Sequence, residues 1–254
     1  MNTNTELIVE RVDETQWQAL AGETVVGSGD VSTRPDGRRF VSIDVWDDAA
    51  FAPLAEAMVA ALPAPLHTLV GGEDAELTAR WERAGFVPER REWEYSLGTG
   101  AFGGTEEVVR GVTVLPAGTA DEARLRELDG ALRGEVEAER GWHTMPAELR
   151  CGPPGDTLVD PSLYAVAVRD GEYAGLVRVV RGRGPARIGL LAVRAEHRGR
   201  GVGAALLGHA LSELDGAGVS RAWAEVDQSN SAATALFERF GAERAGHTLQ
   251  LVRR

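Results

Sequence analysis

The stretch Leu191-Ala-Val-Arg-Ala-Glu-His-Arg-Gly-Arg-Gly-Val-Gly203 decides how this chain is read. Upstream of it, Ala186 to Val193 has the length and composition of a strand, and downstream Gly203 to Glu213 reads as a helix. At a helix N-terminus several backbone N–H groups have no intrahelical partner, and the helix dipole adds partial positive charge, so a phosphate is favoured there. Glycines at 199, 201 and 203 let the main chain approach phosphate oxygens without a Cβ in the way. Taken alone, the loop reads equally as an arginine-rich surface turn.

Two phosphate-loop types do not fit. A Rossmann fingerprint needs a third glycine one position later, where Ala204 stands, and a P-loop needs a lysine, of which the chain has none. All 27 basic residues are arginine, which also removes Schiff-base lysines and fits a GC-rich genome.

Working outward, Arg221 to Val226 reads as a strand and Ser231 to Phe240 as a helix. Before the loop come a strand from Val108 to Leu115, a helix from Asp121 to Arg140, and a hairpin of Tyr164–Val168 with Tyr173–Val180 around Asp170-Gly171. Strand and helix alternate in an α/β (α+β) order. A glycine-rich run, Gly98 to Gly104, reads as a linker. Ahead of it lie strand-like Glu6–Val12, Thr24–Gly27 and Arg39–Val45 and a helical run from Ala49 to Leu62.

The halves end alike. Arg80-Trp-Glu-Arg-Ala-Gly-Phe86 leads into a strand at Arg91–Leu97, and Leu236-Phe-Glu-Arg-Phe-Gly-Ala242 leads into one at His247–Val252. This suggests an internal duplication. The expected organisation is a first domain at 1–98, a linker at 99–107 and a second domain at 108–254.

Length and 43% hydrophobic content allow two cores of ordinary domain size. No apolar run approaches a membrane span and the N-terminus lacks a secretion pattern, so a soluble cytoplasmic protein is expected. Cys151 alone allows no internal disulfide and no thiolate metal cluster, and it reads as an ordinary loop or core residue. A net charge of −12 argues against nucleic acid as a partner and mildly favours a cationic small molecule or peptide.

With the loop and its context stated, the chain resembles the GNAT acyltransferases. Their phosphate loop, Arg/Gln-x-x-Gly-x-Gly/Ala, is matched by Arg198, Gly201 and Gly203. Ala195 stands where the family commonly has a proline after the strand. Downstream, Asn230-Ser-Ala-Ala-Thr-Ala-Leu-Phe-Glu-Arg-Phe-Gly241 is similar to the family's Asn-x-x-Ala-x-x-Leu-Tyr-x-x-x-Gly, with Phe237 in place of the tyrosine. The resemblance covers about residues 108–254 and, more faintly, the first half. It implies two GNAT-like mixed-sheet domains in tandem, the N-terminal one reduced.

The resemblance further implies acetyl-CoA or another acyl-CoA as co-substrate, with no metal. The amides of Gly199, Arg200, Gly201, Val202, Gly203 and Ala204, together with Arg198, would hold the pyrophosphate. The backbone of Leu191, Ala192 and Val193 would pair with the pantetheine like an added strand and offer an N–H to the thioester oxygen. Asn230 would touch the co-substrate; its plainer role is a helix cap, and the two roles are compatible.

An acceptor ammonium must lose a proton before it attacks, and Glu225, twelve residues before Phe237, is the candidate base. The alternative is that Glu225 or Asp227 faces solvent or pairs with an arginine. Phenylalanine has no proton to give the leaving thiolate. Tyr164, Tyr173 and His143 are possible substitutes, each with a plainer reading as packing or loop. His197 and His209 read as solvated surface. The irregular segment from Arg133 to Pro161, with Trp142, Met145, Pro146, Asp156 and Asp160, stands where GNAT proteins admit their acceptor.

If the halves are repeats, Ile43-Asp-Val45 aligns with Leu191-Ala-Val193. The residues that follow, Trp46-Asp-Asp-Ala-Ala-Phe-Ala-Pro53, then lack glycine and place two aspartates where a pyrophosphate would lie. The first half is expected to be a copy without co-substrate that helps wall an acceptor cleft. An N-acyltransferase acting on a small-molecule or peptide amine leads; a CoA-binding protein with impaired catalysis, or an acyltransferase to a hydroxyl or thiol, are the alternatives. Monomer and homodimer both remain open.

Overall fold

The computed structural model describes residues 6–100, 109–139, 141, 159–182 and 184–254. They fall into two compact units. The first comprises Met1–Glu92 with His247–Arg254, and the second comprises Trp93–Gly246.

The first unit opens with β1 (Leu7–Arg11), β2 (Gln16–Ala21), β3 (Thr24–Thr33) and β4 (Arg39–Val45), continues through α1 (Phe51–Ala61), β5 (Leu66–Gly71) and α2 (Ala75–Arg83), and leads into β6 (Val87–Gly98). β1 to β4 form an antiparallel meander, while β4 and β5 pair in parallel through Arg39↔Leu66 and Phe40↔His67. Helix α1 buries Phe51, Leu54, Ala55 and Met58, the i, i+3, i+4, i+7 stripe that a half-buried helix requires. They pack with Trp17, Ile43, Trp81, Phe86 and Leu251 into one core.

The second unit follows with β7 (Val112–Leu115), α3 (Glu122–Glu139), β8 (Tyr164–Arg169), β9 (Glu172–Val180), β10 (Ala186–Val193), α4 (Val202–Gly216), β11 (Arg221–Asp227) and α5 (Ser231–Arg239), and leads into β12 (Glu243–Arg253), which from His247 on belongs to the first unit. Its strands are ordered β6-β11-β10-β9-β8-β7. Helix α4 is apolar nearly all round, which a helix tolerates only when buried on most sides. It packs with Phe237 and Phe240 of the α5 region against one face of the sheet, while Leu125, Leu128 and Leu132 of α3 cover the other. Among the described residues no helix is long and apolar enough to cross a membrane.

The duplication is visible in the elements. α2 and α5 each have nine residues, each is capped by the residue before it, and each buries one aromatic, Trp81 or Phe237. Between β1 and β2 the first unit has only a short turn where the second has α3, so it is the reduced copy.

The units divide at 92/93 and again at 246/247, not within the glycine-rich run. Six of the last eight residues pair with β5, from Thr248↔Gly71 to Arg253↔Leu66, and all eight belong to the first unit. Gly98 ends β6, and Thr99 is buried, its N–H donating to the Ser220 carbonyl at 3.1 Å and its Oγ1 to that of Val219 at 2.6 Å. Pairing of strands, which composition does not register, sets the division. Residues 101–108, most of the expected linker, lie outside the described residues.

Other expectations shift in detail. β2, β5 and α2 went unread, β3 runs on to Thr33, and the helical run after β4 begins as a 3-10 turn at Asp48–Ala50. α2 is only nine residues long and buries only Trp81, so its sequence holds few apolar residues to announce a helix.

Candidate functional site

After β10 the chain makes a 3-10 turn at Ala195–His197, extends at Arg198 and enters the left-handed region at Gly199, φ +70°, and Gly201, φ +83°. Gly201 is the N-cap of α4 and, being glycine, offers no side-chain oxygen to cap it. Its carbonyl accepts the first intrahelical bond, from Ala205 N–H at 3.0 Å. The amides of Val202, Gly203 and Ala204 therefore lie in the turn whose donors have no intrahelical acceptor. A Cβ on Gly201 would stand 2.6 Å from Val109 Cγ1, so that position is sterically narrow, whereas one on Gly203 would stand 3.4 Å from Leu236 and 3.6 Å from Leu191, at ordinary contact distance.

The arginines here are mostly engaged. Arg198 donates through Nη1 to Glu139 at 2.8 Å and through Nε to the Val193 carbonyl at 3.2 Å. Glu135 accepts from Arg194 Nε at 2.7 Å and from the Ala195 amide at 2.9 Å. The hydrogen bond to Glu135 raises the Arg194 pKa above its ordinary value. The Arg198 side chain thus ties the loop to α3. The exposed Arg200 gives its carbonyl to Arg169 Nη1 at 3.1 Å.

β10 itself has one paired edge and one that opens. Leu191, Ala192 and Val193 are opposite Val177, Leu176 and Gly175 of β9. On the other side the parallel register with β11 consists of Ala186↔Ala222 and Arg187↔Trp223. Leu191 to Val193 lie beyond that short ladder, directly before the glycine loop.

Asn230 caps α5, its Oδ1 accepting from Ala233 N–H at 3.2 Å, which leaves the Nδ2 donors for another partner. Glu225 accepts from Arg187 Nη2 at 2.6 Å, and the Arg187 guanidinium also lies 5.3 Å from the Trp223 ring centroid. The arginine pairing considered as its alternative is therefore present.

Phe237 is buried in the core and stacks on Tyr95, ring centroids 5.9 Å apart. Sequence reasoning missed Tyr95. Its hydroxyl donates to Glu238 Oε1 at 3.1 Å and accepts from Arg244 Nε at 3.0 Å, so a phenol does stand beside position 237 but is already committed. The only signal for it was the aromatic alternation Trp93, Tyr95 on β6.

Of the other proton-donor candidates, Tyr164 is buried, and burial followed by the nearby Asp129 charge raises its pKa. Tyr173 accepts from the Asp121 amide at 2.9 Å. His143 lies outside the described residues, as do Trp142, Met145, Pro146, Cys151 and Asp156. Of the segment expected to be irregular from Arg133 onward, the part up to Glu139 is helical, within α3. Asp160 caps the short turn Pro161–Leu163.

His197 and His209 are not solvated surface: both are buried, His197 under the loop and His209 on α4. Glu172, Glu196 and His197 bring possible metal-ligand atoms within 4.8 Å of one another. Arg194 Nη2 stands 3.2 Å from Glu196, so a guanidinium already answers that carboxylate.

The matching place in the first unit is built differently. Asp47 caps the turn before α1 through the Ala49 amide at 3.0 Å, and Asp48 pairs with Arg80 at 3.0 Å. Its own carboxylates sit where the second unit presents bare amides.

Mixed-sheet units with a glycine loop between strand and helix define the class of this protein as a GNAT fold in tandem. Residues 127–242 match the Acetyltransferase (GNAT) family. It is 36% identical over 84 residues to mycothiol acetyltransferase of Streptomyces coelicolor, covering 32% of this chain and 27% of that protein. It is 45% identical over 51 residues to the ribosomal protein bS18-alanine N-acetyltransferase of Escherichia coli, covering 20% of this chain and 34% of that one. The chain thus matches about a third or less of these relatives' length.

Among solved structures, a GCN5-related N-acetyltransferase from Sphaerobacter thermophilus gives a TM-score of 0.70 at 17% identity, over 96% of this chain and 82% of that one. A tandem GNAT protein from the clavulanic acid biosynthesis pathway gives 0.61 at 18% identity, over 93% and 81%. At such identities the likeness is one of fold.

Proposed function

We propose that the chain is an acyl-CoA-dependent N-acyltransferase that moves acetyl from acetyl-CoA to a small-molecule or peptide amine by direct attack in a ternary complex. The observation that carries this reading is one continuous segment. It presents an opening strand edge at Leu191–Val193 and, a few residues on, the uncapped N-terminus of α4 at Gly201. An extended pantetheine suits the first and a pyrophosphate the second.

In this reading the amides from Gly199 to Ala204 bind the pyrophosphate, and Arg198 acts by holding the loop against Glu139. Asn230 caps α5 with its oxygen and donates to the co-substrate with its nitrogen. An N–H of the β10 edge polarises the thioester carbonyl. Glu225 takes a proton from the acceptor ammonium; the neutral nitrogen attacks the carbonyl carbon, the carbon–sulfur bond breaks, and the thiolate takes a proton from water. Ammonium and thioester become amide and thiol, with one proton released to solvent. The second unit does this work, and the first is a copy whose aspartates replace the anion.

Two observations favour the alternative of a CoA-binding protein without catalysis: Glu225 is held by Arg187, and Phe237 has no proton to give. Free-thiol release from acetyl-CoA across a panel of amines separates the two. Turnover with any amine supports the enzyme, whereas binding without turnover supports the binder. Glu225→Gln is expected to depress turnover most at low pH, where the neutral amine is scarcest. An unchanged pH–rate profile would remove Glu225 from the mechanism.

A further inference from the structure

Arg178 lies on β9 of the second unit, half-buried, and among the described residues its guanidinium has no hydrogen bond or ion pair. The register fixes the side it faces. Arg178 stands opposite Leu190 on β10 and opposite Tyr164 on β8, and directly opposed residues share a face. Leu190 and Tyr164 pack in the cluster with α3. On β11, Ala222, Ala224 and Val226 pack on the opposite side, with α4 and α5, which puts Trp223 and Glu225 on the face of Arg178.

Arg187, paired with Trp223 in register and with Glu225 by charge, joins them. The face beside the opening edge of β10 therefore carries Arg178, Arg187 and Glu225. The nearby Asp129 carboxylate accepts from Arg133 Nε at 2.5 Å, and Glu225 accepts from Arg187, so both acids are already engaged by other arginines.

A guanidinium drawn partly out of water without an anion is held at a desolvation cost that a bound carboxylate removes. The acceptor also arrives as an ammonium, which neighbouring guanidinium groups repel unless it brings its own negative charge. β9 and β11 flank β10, so their backbones are about 10 Å apart where the strands pair and farther apart where β11 has parted from β10. An arginine and a glutamate reaching inward across that gap leave room for a molecule of amino-acid size.

We propose that Arg178 binds a carboxylate of the acceptor, so that the substrate class is a small amine with a carboxylate a few bonds from the reacting nitrogen. This rests on the acyltransferase reading and narrows its acceptor.

The test uses the full chain, saturating acetyl-CoA, free amino acids and the matching carboxamides as probes, with thiol release as the rate and calorimetry for acetyl-CoA binding. The acids are expected to exceed their amides in kcat/KM by about tenfold to a hundredfold, the worth of one charge-assisted hydrogen-bonded pair. Arg178→Gln is expected to erase that preference through KM, Arg178→Lys to restore part of it, and both to keep the parent affinity for acetyl-CoA. Equal rates for acid and amide, a preference that survives Arg178→Gln, or turnover of the amides with no acid turned over would each overturn the proposal. Failure to bind acetyl-CoA, or binding with neither acid nor amide turned over, would instead overturn the reading on which it rests.

Discussion

Gly201 shows how much a single position contributes to the candidate site. Its φ of +83° is one that side chains with a Cβ adopt at a cost of about 1–2 kcal/mol, and a Cβ there would in addition press on Val109 at 2.6 Å. Gly201→Ala is therefore expected to weaken acetyl-CoA binding by about tenfold or more, because relief of either strain swings the α4 amides away from the phosphate. Calorimetric titration of acetyl-CoA into parent and variant measures this, and equal affinities would argue that the loop is not the phosphate site. At this scale the sequence was informative: glycines at 199, 201 and 203 and the cap at Asn230 are local chemistry, and each stands where the local pattern put it. The partners of charged side chains were not legible. Arg198 reads as a phosphate ligand until Glu139, 59 residues away, is seen to hold it.

At the scale of elements, β5, β6 and β12 of the first unit enclose an ionisable group that no motif announced. His67 is buried, stacks on Phe40 at 5.3 Å and has Nδ1 3.3 Å from Glu89 Oε2. Gln250 of β12 donates to the same carboxylate oxygen at 2.8 Å. Burial is the largest influence and lowers the His67 pKa from 6.5, with the Arg38 charge adding to it and Glu89 opposing. Because the folded value lies below the unfolded one, the unfolded chain binds more protons between the two. Stability from a neutral His67 is thus fully present above about 6.5 and is lost as pH falls through that window. The thermal midpoint is expected to drop between pH 7 and pH 5, and to drop less in His67→Gln. Equal drops in the two proteins would show that His67 does not titrate on unfolding. β5 went unread in the sequence because all but Leu69 and Gly71 of its six residues are buried, which erases the alternation that marks a half-exposed strand.

For the whole molecule, the question is how many co-substrates one chain binds. The second unit presents bare amides at the start of α4, whereas the first unit answers the same place with Asp47 and Asp48. Like charge opposes a pyrophosphate there. One equivalent of acetyl-CoA per chain is expected by isothermal titration, and two would mean that the first unit also binds.

The sequence by itself determined the glycine loop between strand and helix, the order of elements around it and the duplication. All of these rest on neighbours within a helical turn or a strand period, where glycine, caps and apolar spacing act. Only the tertiary structure decided that the last eight residues belong with the first unit, that Arg187 holds Glu225, and that Tyr95 lies on Phe237. Strand pairing and ion pairing join residues far apart along the chain, and their energies depend on burial and on which neighbours arrive, quantities that no local pattern of residues encodes.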